Sequence, residues 1–137
     1  MSTRSLSALS HAALPVFLEF EKRLHALGIA FVRACTYRSS DEQGELFKQG
    51  RDKPGNIVTW AQGGQSPHNT TSEGYPASTA GDYYPLLNGK LADNHTMEEL
   101  ALWELVAVQG RACGLEWGGD WTARKKDYPH FQLPKGV

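Results

Sequence analysis

An α+β fold, a small antiparallel sheet with flanking helices, follows from three features of the sequence. Apolar residues recur at helical spacing near the N-terminus and again around residue 100. Short β-branched and aromatic runs lie between and after these stretches, and the elements lack the regular strand–helix–strand alternation of a parallel sheet. The chain is also long enough for a core: at 137 residues, 40% of them apolar, a domain buries roughly 68% of its extended-chain surface. No internal repeat or linker divides residues 1–137, so a single domain is expected.

Taken in order, Phe17, Phe20, Leu24 and Leu27 fall on one helical face and Gly28 stands where the helix stops, predicting a helix over 13–27. Residues 29–36 (IAFVRACT) read as a buried strand. Ser40, Asp41, Glu42 and Gln43 supply an S-x-x-Q capping box for a short helix ending near Gly50, with Leu46 and Phe47 as its apolar stripe. Residues 50–80 are rich in Gly, Pro, Asn, Gln, Ser and Thr, and only Ile57 to Trp60 resembles a brief strand; so long a loop is either functional or disordered. A strand over 79–84 should close at Pro85. Thr96-x-x-Glu99 is a second capping box, opening a helix that carries Leu100, Trp103, Leu105, Val106 and Val108 and stops at Gly114. Residues 115–117, a Gly118-Gly119 turn and residues 128–133 complete a strand-rich end.

Charge and hydropathy exclude several classes of function. Fourteen Lys+Arg against 15 Asp+Glu, with no long basic run, leave no footprint for nucleic acid. The apolar run from Ala12 to Leu18 is interrupted by Pro15 and followed at once by charges. It makes neither a secretory core nor a membrane span, so no stable membrane insertion is expected and the chain should be made and kept in a cytoplasm. Cys35 and Cys113 are far apart and read as buried free thiols.

Among five histidines, His68, in the polar loop after Ser66-Pro67, and His130, in Asp127-Tyr128-Pro129-His130, are distinctive. His11, His25 and His95 read as solvated or structural. Asp82 sits among small and aromatic residues and wants a partner. Pro129 keeps Asp127 and His130 out of a helix, so His130 can bind a metal while Asp127 reaches a metal-bound water. Spacing alone leaves this one of many such triples.

The ordered blocks Thr36-Tyr37-Arg38-Ser39-Ser40, Gln49-Gly50-Arg51, Gly64-Gln65-Ser66-Pro67-His68-Asn69, Ala80-Gly81-Asp82, Gly114 to Trp121 and Asp127 to Gln132 resemble the M15 zinc peptidases over about residues 34–132. That family includes D-alanyl-D-alanine carboxypeptidases and dipeptidases, and small L-alanyl-D-glutamate endopeptidases that serve as phage endolysins. The resemblance implies a hedgehog/DD-peptidase-like fold and one catalytic domain. It makes His68, Asp82 and His130 the Zn2+ ligands, Asp127 the general base, Arg38 the residue facing the scissile carbonyl, and Ser66 a substrate-lining residue. Trp117 and Trp121 read as core packing.

One departure is the longer spacing between His68 and Asp82, an insertion of about seven residues that costs little in closure entropy. It makes Glu73 a substitute candidate for the carboxylate ligand.

The function implied is a zinc-dependent peptidoglycan peptidase, an endolysin cleaving the L-alanyl-D-glutamate bond of stem peptides. It would be monomeric, located in the host bacterial cytoplasm, and would reach the wall through a holin or another membrane lesion. D-alanyl-D-alanine carboxypeptidase is the alternative activity. A non-catalytic, zinc-containing module that binds cell-wall peptides is the alternative of a different class.

Overall fold

The structure, a computed structural model, describes residues 1–136. Its elements are β1 (Ser2–Thr3), α1 (Ala13–Ala26), β2 (Phe31–Cys35), β3 (Tyr37–Arg38), α2 (Ser40–Lys48), β4 (Thr71–Ser72), β5 (Tyr75–Pro76), β6 (Ala80–Leu87), β7 (Lys90–Leu91), α3 (Met97–Ala112), β8 (Glu116–Trp117) and β9 (His130–Gln132). The α+β class and the small antiparallel sheet are as the sequence predicts. The sheet runs β2-β6-β9-β8, with β7 folded back on β6, and every pairing is antiparallel.

Helix α1 forms because Ala13, Phe17, Phe20 and Leu24 share one face, and all four are buried. Leu27, expected on that face, instead closes the helix and is exposed. Phe17 stacks on Tyr83, and Phe20 meets Tyr83 and Phe131, so α1 covers one face of β6 and β9. Helix α3 opens with the predicted Thr96–Glu99 box and buries Trp103, Val106, Ala107 and Gly110, leaving Leu105 and Val108 outside. Gly110 is required by close approach: a Cβ there would lie 2.8 Å from the Phe131 ring.

Several sequence expectations are corrected. The cap of α2 is Ser39, whose hydroxyl accepts from Glu42 N, not Ser40, and Gln43 points inward. Residues 57–60 form no strand. Side chains hook this segment instead: Gln43 bonds Thr59 Oγ1 and Ala61 O, and Arg51 bonds Thr59 O. Strand β6 continues through Pro85 to Leu87. Leu86 N donates to Ala30 O towards β2, so the proline nitrogen faces the other side, where Ala92 N donates to Pro85 O and only the reciprocal bond is missing.

The insertion between His68 and Asp82 is an ordered β4–β5 hairpin. Glu73 and Gly74 form its turn, both at positive φ, as a two-residue hairpin turn favours.

Candidate functional site

Strand pairing builds the site. Asp82 on the central strand β6 lies opposite Cys35 of β2 on one side and His130 of β9 on the other. Residues directly opposite in an antiparallel pair share a face, so these three project together while Tyr83 and Phe131 project into the core. His68 arrives from a 3₁₀ turn over Pro67–Asn69. Ser66 Oγ caps that turn by accepting from His68 N, and Asn69 ties it to Arg38 by donating to its carbonyl at 2.8 Å.

The two imidazoles converge on one carboxylate oxygen. His68 Nε2 is 3.0 Å and His130 Nδ1 is 3.3 Å from Asp82 Oδ1. Each ring's remaining nitrogen is already committed. His68 Nδ1 donates to the Thr36 carbonyl at 2.8 Å, and His130 Nε2 donates to Gln132 Oε1 at 2.8 Å. Gln132 is itself oriented by donating its amide N–H to Glu116 Oε2. These bonds leave the nitrogens facing Asp82 as the ones that could ligate a metal once deprotonated, an arrangement found behind metal-bound histidines. Ligand atoms on a tetrahedral cation, at bonds of about 2.0–2.1 Å, stand roughly 3.3 Å apart. Both imidazole nitrogens stand near that distance from Asp82 Oδ1, so the donor types and these two distances suit a small divalent cation.

The electrostatics agree. Burial pushes the Asp82 carboxyl up, but the charges and hydrogen bonds of His68 and His130 outweigh it and hold it well below the usual carboxylate range. Burial lowers His68, yet the Asp82 carboxylate and its hydrogen bond raise it to about 10. The pocket thus favours positive charge between them.

Asp127 lies in the turn before β9, its N–H bonded to Gly118 O and its carbonyl to His130 N. Its carboxyl lines the same cleft, raised above its ordinary value by burial and then by the Asp82 charge. Arg38 reaches across from β3: its guanidinium donates to Gln43 Oε1 at 3.0 Å and stands 3.8 Å from Asp82 Oδ2. The cleft has a volume of about 670 Å³. Arg38, Ser66, His68, Asp82, Asp127 and His130 all line it, so the structure gathers the six residues to which the resemblance gives a role. Glu73 is exposed in the hairpin turn and lines no part of it. His11, His25 and His95 are exposed elsewhere.

Four side chains around the site received no site role from the sequence. Gln132 and Glu116 stand behind His130. Gln43 orients Arg38, and its only trace in the sequence is a polar residue at a helix position that turns out to be buried. Cys35 is a buried thiol, as expected, but lies beside the site, with Sγ 3.9 Å from His68 Nδ1 and 3.8 Å from Arg38. Among the described residues, Cys35, His68 and Asp82 are the group whose ligand atoms all lie within 4.8 Å of one another. The hydrogen bonding favours His130 over Cys35 as the third donor, because the thiol approaches the His68 nitrogen that already serves Thr36, whereas His130 Nδ1 faces Asp82. Trp117 packs in the core as expected, whereas Trp121 lines the cleft against His130.

A family model described as D-alanyl-D-alanine carboxypeptidase, one of the M15 peptidases, matches residues 60–133. The chain is 41% identical over 106 residues to peptidoglycan L-alanyl-D-glutamate endopeptidase CwlK of Bacillus subtilis (strain 168), covering 77% of this chain and 62% of CwlK. It thus spans about three fifths of the length of that curated relative. The crystal structure of Serratia marcescens L-Ala D-Glu endopeptidase ChiX shares the fold, with a TM-score of 0.58 at 23% identity, covering 98% of this chain and 89% of that one. On the matched model and the identity to CwlK, this chain belongs to the M15 peptidase family.

Proposed function

We propose that this chain is a zinc-dependent peptidoglycan peptidase that cleaves the L-alanyl-D-glutamate bond of stem peptides, in the setting of a phage endolysin. The observation that carries the reading is the convergence of His68, Asp82 and His130 in one cleft, with Asp127 beside them and Arg38 opposite. The names of CwlK and ChiX support this choice of bond. Zinc bound by the two imidazoles and the carboxylate would supply Lewis acidity, polarising the substrate carbonyl and making water acidic near neutral pH. Asp127 takes the proton of the attacking water and passes it to the departing amine. Arg38, braced by Gln43, places N–H donors where the carbonyl oxygen gains charge, an interaction stronger in the transition state than in the substrate. The Thr36 carbonyl and Gln132 hold the two imidazoles in register throughout.

The experiment is mass spectrometry of purified Gram-negative peptidoglycan incubated with zinc-loaded protein, beside a chelated control. Metal-dependent release of stem peptides from the glycan at L-alanine is the expected result. Loss of only a terminal D-alanine would give the carboxypeptidase activity that the family model's description favours. No metal-dependent product would leave a binding module. The endolysin setting is tested by expression in a Gram-negative host: lysis should require a co-expressed holin, and lysis without any membrane lesion contradicts it.

A further inference from the structure

Apart from the histidines, Asp82 and Asp127, the charged side chains lining the cleft are all cations: Arg38, Arg124, Lys125 and Lys126. Arg38 is engaged with Gln43 and Asp82. Arg124, Lys125 and Lys126 are exposed, and none has a carboxylate partner among the described residues. They occupy the three positions before Asp127, on a lip whose backbone is tied down. Lys125 N donates to Thr122 O, Asp127 N to Gly118 O, and Trp60 Nε1 to the Arg124 carbonyl at 3.1 Å. The guanidinium groups of Arg51 and Arg124 each stand 5.5 Å from the centroid of the same Trp60 ring.

We infer that Arg124, Lys125 and Lys126 form an anion subsite for the free carboxylate of the residue that supplies the departing amine. This rests on the endopeptidase reading. Asp127 must reach that amine to protonate it, so the residue bearing the amine lies against the chain segment next to Asp127. In an alanyl–glutamate bond that residue is glutamate, which keeps one carboxylate after its other joins the next peptide bond. Three unpaired cations beside the base attract that carboxylate, steer an anionic peptide into the cleft, and discriminate against its uncharged amide. A terminal D-alanine as leaving residue also carries a carboxylate, so the subsite distinguishes anionic from amidated leaving residues, whichever bond is cut.

The test compares two synthetic stem peptides, identical except that the free glutamyl carboxylate is a primary amide in the second. The zinc-loaded protein should cleave the carboxylate form with about three- to tenfold higher kcat/KM, mostly through KM, and added salt should shrink the ratio. The ratio should fall to near one in the triple variant Arg124→Gln, Lys125→Gln, Lys126→Gln, whose exposed positions bear no core packing. Lys90→Gln, remote on β7, should leave it unchanged. Equal cleavage of the two peptides, or a ratio that survives the triple substitution, overturns the subsite. Binding of both peptides to Asp127→Ala protein reads the same preference without turnover. If neither peptide is cleaved, the endopeptidase reading fails, and equal binding of the two overturns the subsite independently.

Discussion

Asp127 and Gln132 stand on the same short segment and touch the chemistry in different ways. Asp127→Ala removes the proton carrier but no ligand, so zinc content and fold should be retained while turnover falls by orders of magnitude, read by elemental analysis and peptide hydrolysis. Without metal, burial and then the Asp82 charge hold the Asp127 carboxyl above its ordinary value. Because the base must be ionised, activity should be lost on the acid limb of kcat/KM as Asp127 is protonated, and Asp127→Ala should abolish that limb. Gln132 touches no substrate. Gln132→Leu deprives His130 Nε2 of its acceptor and should weaken zinc binding about 10–100-fold in a chelator competition, whereas Gln132→Glu keeps an acceptor and should restore most of it. Unchanged affinity in the leucine variant would reduce Gln132 to packing. At this scale the ligands and base were legible because they sit in short motifs. Gln132, Gln43 and Cys35 were not, because their roles depend on cross-strand register and on which way a side chain turns, neither of which is local in sequence.

At the scale of elements, the site depends on α3 holding β9 in place. Gly110→Ala forces a methyl into the Phe131 ring and should destabilise the protein by about 1–3 kcal/mol, seen as a lower denaturation midpoint. The β4–β5 hairpin should matter far less. Ala77 N already donates to Thr70 O at 2.8 Å, so the hairpin's ends are adjacent and excising residues 71–76 leaves a short closure. That variant should keep its fold and zinc affinity; loss of either would make the insertion part of the site's frame. Helices α1 and α3 were legible from apolar periodicity and the Thr96 box. The β4–β5 hairpin, the β1–β3 pairing and the irregular path of residues 57–60 were not. Their geometry comes from tertiary hydrogen bonds that the local propensities of Ile57, Val58 and Trp60 do not encode.

Across the whole molecule, helix α1 is joined to the sheet by a polar knot on its core side. Glu21 of α1 accepts two bonds from Arg33 of β2 and one from the hydroxyl of Tyr83 of β6. Burial raises the Glu21 carboxyl, but the Arg33 and Tyr83 hydrogen bonds outweigh it and leave it below its ordinary value. A carboxyl depressed by folding stabilises the protein above its unfolded pKa, and that contribution fades as pH falls through the folded value. Glu21→Gln should therefore cost about 1–3 kcal/mol near pH 7, and the gap in urea midpoint from the unsubstituted protein should narrow at acid pH. A gap independent of pH would show that packing, not charge, carries the contribution. The knot lies on the core side of the sheet, opposite the face where Cys35, Asp82 and His130 project. The proposed function depends on Asp82 and His130 of that second face, with His68 from the 3₁₀ turn, gathering one metal. Zinc-edge X-ray absorption of the zinc-loaded protein tests this most directly: nitrogen and oxygen neighbours at about 2.0–2.1 Å, with the scattering pattern of two imidazoles, are predicted, whereas a sulfur neighbour at about 2.3 Å would place Cys35 on the metal and contradict the assignment.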